Sequence, residues 1–328
     1  MKLEGLILAL TLGLCLAYGW WCRIEAGLPR DSRLRIALIQ GNFDPDTKWS
    51  GLRDETIKTL WGLTRKAAKE AAPDLTIWTE TAIVEPVDES YYLTRRIFLL
   101  ASEINGFLLV GAPHWKSEQE HFNSAFLISP EGEITDRYDK IHLVPFGETI
   151  PAERFFPWLR EILPSEAGDW TPGDTFTIFN LPKAGMKFGV LICYEGIFGD
   201  LARQFVRRQA DFLVNITNDA WSKNPTSHEQ HFAMGVFRAI ENRCYFVRAG
   251  NAGVSAFINP LGEIEKRSDL YIEELLIRDI TKGRPETIYT RWGDVLGWVC
   301  LLGTAIKCGV GLLWNRLDQR SRRQVSEK

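Results

Sequence analysis

Short apolar runs alternate with helical patterns through the middle of the chain, from about residue 33 to residue 282. The runs are rich in β-branched and aromatic side chains, as buried strands are. They predict strands at Leu34–Gln40, Leu75–Trp78, Phe107–Val110, Ser124–Ile128, Thr175–Phe179, Lys187–Ile192, Asp211–Ile216, Tyr245–Arg248 and Val254–Ile258. Apolar positions that recur three and four residues apart predict helices at Asp54–Ala71, Tyr91–Ile104 and His228–Arg243.

Strands that alternate with helices indicate an α/β domain, which we place at residues 33–282. Several strands come in hairpin-like pairs, with Asn259–Gly262 as one turn. A plain doubly wound parallel sheet has no such pairs. The pattern therefore predicts two sheets sandwiched between layers of helices.

A long apolar segment precedes this domain. Leu6–Cys22 lies in a stretch without charged residues between Glu4 and Arg23 and has the length of a membrane-spanning helix. A cleaved signal peptide is the alternative, but large aromatic residues stand where a cleavage site needs small ones. The sequence therefore predicts a retained transmembrane anchor at 1–24 and a linker at 25–32.

A second apolar segment follows the domain. Val295–Leu313 contains one charge, Lys307, which costs roughly 3 kcal/mol near mid-membrane unless it snorkels. It predicts a linker at 283–293 and a second span at 294–314, with an amphipathic surface helix as the alternative. The basic tail at 315–328 then places the C-terminus in the cytoplasm and the domain on the opposite side, whereas the charges around the first span favour this less clearly.

Composition narrows the class of protein. A chain of 328 residues with a net charge of −3 gives no reason to expect a nucleic-acid partner. Six cysteines in so long a chain do not make a disulfide framework. His228 and His231 lie three apart on one predicted helix, where a zinc-protease pair needs four, and no third ligand is evident. We therefore predict no metal.

Three reactive side chains follow strand-like runs: Glu80, Lys140 and Cys193. Separately they have ordinary explanations as a capping glutamate, a surface lysine and a core cysteine. Together, at the ends of neighbouring strands, they would make a nucleophilic site. The thiolate attacks a carbonyl, the carboxylate moves protons, and the ammonium stabilises the oxyanion and lowers the thiol pKa.

These residues lie within longer sequence motifs that follow one another through the domain. The motifs are Gln40-Gly41-Asn42 followed by Trp49, Trp78–Ala82, Tyr138–Glu148, Cys193–Glu195, Thr217–Trp221, Arg238–Glu241 and Asn251–Ser255. In this order they resemble the nitrilase (carbon–nitrogen hydrolase) superfamily, and most closely its apolipoprotein N-acyltransferase branch.

The resemblance implies a four-layer α-β-β-α sandwich that transfers an acyl chain from a phospholipid to the N-terminal amine of a diacylglyceryl-cysteine lipoprotein, with no cofactor. Cys193 would carry the acyl group as a thioester, Glu80 would be the general base and acid, and Lys140 would stabilise the oxyanion. Supporting roles would fall to Glu148, Tyr194, Glu195 and Trp49. The expected location is the bacterial inner (cytoplasmic) membrane, with the catalytic domain on the periplasmic side.

An aromatic loop after Lys140 fits a lipid substrate. It contains Phe146, Phe155, Phe156, Trp158, Leu159, Ile162, Leu163 and Trp170. Ordinary core packing is one explanation of these residues. The other is an apolar arm that enters the bilayer and admits lipids to the thiol.

One departure from the family concerns the membrane helices, because the family's domain usually follows a bundle of several. Here a single span is predicted before it, so the chain resembles a short form of the enzyme. We expect either a separate multi-span membrane subunit or a different substrate. The alternatives are a membrane-anchored amidase with the same three residues, and a non-catalytic scaffold. The intact triad counts against the scaffold, and the membrane flanks and the aromatic loop count against the amidase.

Overall fold

The computed structural model describes residues 2–26, 32–44, 53–87, 91–151, 153, 155–162, 170–283 and 286–326. Its strands are β1 Arg33–Gln40, β2 Leu75–Ile77, β3 Phe107–Trp115, β4 His121–Ile128, β5 Ile134–Asp139, β6 Ile178–Leu181, β7 Met186–Ile192, β8 Phe212–Thr217, β9 Tyr245–Gly250, β10 Ala256–Ile258, β11 Ile264–Arg267 and β12 Glu274–Thr281. Its α-helices are α1 Lys2–Ala26, α2 Arg53–Ala71, α3 Tyr91–Ile104, α4 Leu159–Ile162, α5 Gly199–Arg207, α6 Pro225–Asn242, α7 Ile288–Trp292 and α8 Val295–Ser326. Short 3₁₀ helices lie at Pro182–Ala184, Cys193–Ile197 and Asp219–Trp221.

The strands form two six-stranded sheets of matching design. The first sheet has the order β12-β1-β2-β3-β4-β5, and the second has the order β11-β10-β9-β8-β7-β6. Three neighbouring strands run parallel in each sheet: β1, β2 and β3 in one, and β7, β8 and β9 in the other. The remaining strands pair antiparallel. The chain reverses direction once between β3 and β4 and again between β4 and β5, so β5 runs parallel to β2. The C-terminal ends of β2 and β5 therefore lie on the same side of the domain.

Four layers result from the way the apolar faces pack. One buried cluster joins the facing sides of the two sheets, from Leu38 and Ile77 on one to Val190 and Val214 on the other, and continues under α5 and α6. A second cluster lies between the outer side of the first sheet and helices α2 and α3, where Trp61 and other apolar residues are buried. The predicted α-β-β-α sandwich is therefore confirmed.

Most predicted strands and all three predicted helices agree with the structure to within a few residues. One strand was placed wrongly, because β6 begins at Ile178 rather than at Thr175. Residues 175–177 lie outside the strand, and the Thr177 hydroxyl donates to the Arg137 carbonyl oxygen of β5 at 2.7 Å. The sequence pattern did not predict β5, β11 and β12 or the helices α4, α5 and α7. The three strands are half-exposed and carry charged side chains, so their apolar signal is weak.

Two terminal helices are long and apolar enough to cross a membrane by length and composition, at Gly5–Ile24 and Val295–Trp314. The end of α1 contacts the domain, since the Arg23 guanidinium lies 3.3 Å from the Glu263 carboxylate. The short helix α7 lies within the segment predicted as a linker, and α8 continues through the segment predicted as a tail as far as Ser326. The boundaries of the membrane segments stay predictions.

Candidate active site

The three reactive residues lie just beyond the C-terminal ends of three strands. Glu80 follows β2, Lys140 directly follows β5, and Cys193 directly follows β7. The first two strands belong to one sheet and the third to the other. Because the sheets face each other and these strands end on the same side of the domain, the three side chains lie close enough to influence one another's charge.

The Glu80 carboxylate is buried and faces three donors. Its Oε1 accepts from Asn123 Nδ2 at 2.8 Å and from Lys140 Nζ at 3.5 Å, and its Oε2 accepts from the Asn218 backbone N–H at 2.8 Å. The backbone here lies so close to β3 that a Cβ on Gly111 would be 2.8 Å from the Glu80 Cα. Glycine at position 111 therefore lets the chain bring Glu80 into the site.

The Lys140 ammonium is fully buried between two carboxylates. Its Nζ lies 2.8 Å from Glu148 Oε1 and 3.5 Å from Glu80 Oε1. Asn123 Nδ2 also donates to Glu148, at 3.2 Å, so one amide connects both acids. Burial alone would lower the pKa of Lys140, but the charges of Glu80, Cys193 and Glu148 raise it well above the ordinary value. The site therefore keeps this cation charged without exposing it to water.

Cys193 stands at a strained point of the backbone. It opens a 3₁₀ helix with a φ of 53°, in the left-handed region that costs a residue with a side chain about 1–3 kcal/mol. Burial and the charge of Glu80 raise the pKa of the thiol to about 12, against the lowering effect of Lys140. The resting thiol is therefore protonated near neutral pH and needs a base before it can attack.

Two of the predicted supporting carboxylates have different surroundings. Glu148 contacts Lys140 directly and also accepts from the Val144 backbone N–H at 2.9 Å. Glu195 is fully buried and accepts from the Tyr138 hydroxyl at 2.8 Å and from the Ile192 backbone N–H at 2.7 Å.

Glu195 also accepts from the backbone N–H groups of Ile141 and His142, at 2.7 and 2.9 Å. Burial raises its pKa to about 7, against the donors that favour the charged form. Its carboxylate thus ties the loop after Lys140 to the end of the strand before Cys193.

The remaining predicted site residues are less informative. Tyr194 is half-buried, and its ring meets that of Phe198 edge-on with the centroids 4.9 Å apart. Trp49 lies outside the described residues.

A buried network behind Cys193 was not predicted from the sequence. Arg248 is fully buried, and its Nη2 donates to Asp219 Oδ2 at 2.7 Å, while its Nη1 donates to Asn215 Oδ1. Asp219 Oδ1 lies 2.9 Å from His231 Nδ1. Burial alone would raise the pKa of Asp219, but Arg248 and His231 hold it well below its ordinary value. The only sequence signal was the presence of Asp219 in a motif shared with the family.

Other residues of the shared motifs hold loops together rather than face the thiol. Gln40 Oε1 accepts from the hydroxyls of Ser255 and Ser268, at 2.6 and 2.8 Å. Arg238 donates to the carbonyl of Ile197, at the end of the 3₁₀ helix that Cys193 opens. The Gln40 contacts connect β1 of the first sheet to segments beside β10 and β11 of the second, and the Arg238 contact connects α6 to the 3₁₀ helix.

The aromatic loop presents apolar side chains to the surroundings. Phe155 is 77% exposed, and Phe146, Phe156, Trp158 and Ile162 are exposed as well. Leu159 and Trp170 are half-buried, and Leu163 lies outside the described residues. Core packing therefore does not explain this group of residues. Large apolar residues exposed together along one loop are typical of an interaction site.

An α-β-β-α sandwich with a glutamate, a lysine and a cysteine at its strand ends defines the class of carbon–nitrogen hydrolases. Residues 35–288 match the model of the family described as carbon-nitrogen hydrolase. The chain belongs to this family.

Within the family, the chain is similar to proteins named apolipoprotein N-acyltransferase. It is 38% identical to the one from Geobacter metallireducens over 286 residues, which are 86% of this chain and 54% of that protein. It is 33% identical to apolipoprotein N-acyltransferase 1 of Treponema pallidum, over 85% of this chain and 54% of that protein. The chain thus spans about half the length of these relatives. The resemblance to this branch is confirmed.

Among solved structures, an amidase from Nesterenkonia sp. has a TM-score of 0.60 at 18% identity, covering 78% of this chain and 93% of that chain. A mutant of that amidase, with the same TM-score, identity and coverage, is described as showing covalent addition of the acetamide moiety of fluoroacetamide at the active site cysteine. At this level of identity the likeness extends to the fold alone.

Proposed function

We propose that this protein transfers an acyl chain from a phospholipid to the N-terminal amine of a diacylglyceryl-cysteine lipoprotein, through a thioester on Cys193. The similarity to named apolipoprotein N-acyltransferases supports the reaction class. The observation that carries the proposal is the exposed apolar loop beginning six residues after the buried Lys140, at Phe146. A hydrolase of small soluble amides has no use for such a surface beside its site.

In the first step, Glu80 takes the proton of the Cys193 thiol, and the sulfur attacks the ester carbonyl of the phospholipid. The thiol pKa of about 12 makes this base necessary. Lys140 stabilises the negative charge that forms on the carbonyl oxygen. When the C–O bond breaks, the departing lysophospholipid oxygen takes the proton from Glu80, and the acyl group remains on sulfur as a thioester.

In the second step, the neutral amine of the lipoprotein attacks the thioester. Glu80 removes a proton from the attacking nitrogen as the amide bond forms, and the C–S bond breaks. The sulfur takes up that proton and the thiol is restored. Glu148 and Asn123 hold Lys140 and Glu80 in register through both steps, since one amide contacts both carboxylates.

The membrane arrangement belongs to the same proposal. The two terminal helices serve as spans at 1–24 and 294–314, in the bacterial inner membrane, and the catalytic domain is periplasmic. Phe155 and Trp158 then dip into the leaflet from which the donor lipid comes, because exposed aromatic residues favour the membrane interface.

The test uses the full chain purified in mild detergent. Incubation with a phospholipid should add one acyl mass to the peptide that contains Cys193. Later addition of a diacylated lipopeptide should remove that mass and yield a triacylated product. Cys193→Ala is the control and should give neither.

Free fatty acid without a triacylated product would support the alternative, an amidase-like hydrolase in which water replaces the amine. Turnover by Cys193→Ala would remove the mechanism.

A further inference from the structure

The carbonyl oxygen of Cys193 receives two side-chain donors from outside its own helix. Asn215 Nδ2 lies 3.2 Å from this oxygen, and His231 Nε2 lies 3.3 Å from it. The same residue has the strained φ of 53°. The backbone at the thiol is therefore held from behind by groups that belong to β8 and α6.

Both donors are themselves fixed by one buried cation. Arg248 donates to Asn215 Oδ1, and its Nη2 lies 3.1 Å from His231 Nδ1. Asp219 accepts from Arg248 and contacts His231 Nδ1 at 2.9 Å. The imidazole thus has little freedom to turn, because polar partners lie at both ring nitrogens.

The direction of the hydrogen bond follows from the chemistry of the carbonyl. A carbonyl oxygen only accepts, so Nε2 of His231 must carry a hydrogen in this geometry. His228, one turn earlier on α6, has a different partner: its Nε2 lies 2.6 Å from the Ser222 carbonyl oxygen. Although both histidines share a helix, only His231 reaches the nucleophile's backbone among the contacts of the described residues.

We propose that His231 is a positioning residue for Cys193, a role that rests on the proposed function of Cys193 as the nucleophile. Fixing the carbonyl fixes the peptide plane between Cys193 and Tyr194, because that plane is rigid. Together with the φ of 53°, that plane sets the direction of the Cα–Cβ bond that carries the sulfur. The two hydrogen bonds to the carbonyl offset the backbone strain at Cys193.

The experiment separates a hydrogen-bond donor from simple packing with two variants of matched shape. His231→Gln keeps an N–H donor on a flexible side chain, whereas His231→Met has nearly the same length and no donor. His228→Met is the control for loss of a buried histidine on the same helix. The readout is the burst of p-nitrophenolate when the full chain in detergent is acylated by a short p-nitrophenyl ester, together with the acyl mass on the Cys193 peptide.

We expect His231→Met to lower the acylation rate constant about 10- to 100-fold at saturating ester, since a displacement of about 1 Å can cost about 100-fold. His231→Gln should recover to within about fivefold of the unmodified protein, and His228→Met should lie in the same range. Thermal unfolding identifies any variant that fails to fold. If His231→Met does not fold, His231→Leu takes its place.

Three results would overturn the inference: no loss in His231→Met, equal loss in His231→Gln, or equal loss in His228→Met. The unmodified protein separates this inference from the proposed function. If it gives no burst and no acyl mass on Cys193, then the nucleophile itself is wrong. If it acylates normally and fails only with the lipoprotein, then the positioning role stands while the transfer proposal falls.

Discussion

Replacing Glu80 by glutamine should stop acyl transfer and at the same time make Cys193 more reactive toward a small alkylating reagent. The two effects have opposite signs because Glu80 acts on the thiol in two ways. It is the proposed base, so its loss removes the proton acceptor, typically a factor of 10²–10⁴. Its charge also raises the thiol pKa, which burial and Glu80 together bring to about 12.

The size of the second effect follows from electrostatics. At an effective dielectric constant of about 20, a negative charge about 6 Å from a thiolate destabilises it by about 3 kcal/mol, a factor of about 100 in the ionisation equilibrium. The thiolate fraction at pH 8 would then rise about 100-fold, and the weaker nucleophilicity of a more acidic thiol reduces the gain to about tenfold. Lys140 stays charged in this variant because Glu148 still lies 2.8 Å away.

The assay is alkylation by iodoacetamide at pH 8, followed peptide by peptide in a mass spectrometer. The unmodified protein, alkylated in parallel, is the reference, because Cys15 and Cys300 lie within the proposed membrane spans and would be covered by detergent. Glu103→Gln, which removes an exposed carboxylate paired with Arg65, controls for a general change of charge. Slower alkylation of Cys193 in Glu80→Gln, or transfer that persists in it, would refute the reasoning.

The remaining predictions concern the scaffold and the membrane topology. Gly111→Ala should lower the thermal unfolding temperature and the acylation rate together, because its Cβ would lie 2.4 Å from the Thr79 carbonyl oxygen. The control is Gly62→Ala, in a helix with open space, which should be neutral or stabilising by about 1 kcal/mol. Glu195→Gln should lower the free energy of unfolding by about 2–3 kcal/mol in chemical denaturation. Four N–H or O–H groups donate to this carboxylate, and the glutamine NH2 group would face at least one of them, donor against donor. An unchanged denaturation midpoint would contradict this. A reporter that works only in the cytoplasm should be active when fused at Lys328, and one that works only in the periplasm should be inactive there. Activity of the periplasmic reporter would contradict the proposed orientation.

Local sequence was sufficient to predict the strands that lie in the centre of the sheets. β1, β7 and β8 are apolar runs of branched and aromatic residues. All of β8 is buried, and so is every residue of β1 after Arg35 and of β7 after Lys187. Such runs show burial without any knowledge of their neighbours. β12 was missed because it has only two buried residues, Leu276 and Ile280. It pairs with β1, about 240 residues away in sequence, and nothing in its own pattern names that partner.

The candidate triad was also accessible from the sequence, for a related reason. Glu80, Lys140 and Cys193 each follow a strand, and strand ends are where a layered α/β fold exposes reactive groups. A chemically distinctive residue after an apolar run is a signal that one can see locally. The shared motifs around these residues then identified the family.

The tertiary structure alone decided which polar residues support the three. Asn123 connects Glu80 to Glu148, and His231 reaches the carbonyl of Cys193, although neither residue differs in sequence from an ordinary polar residue of a strand or a helix. It also showed that Glu195, for which the sequence predicts a supporting role, accepts from two backbone segments and joins them. Hydrogen bonds act over about 3 Å, between atoms that the chain separates by dozens of residues. The hydrophobic pattern specifies that a residue is buried, whereas only the packing of the two sheets specifies against which donor or acceptor it is buried.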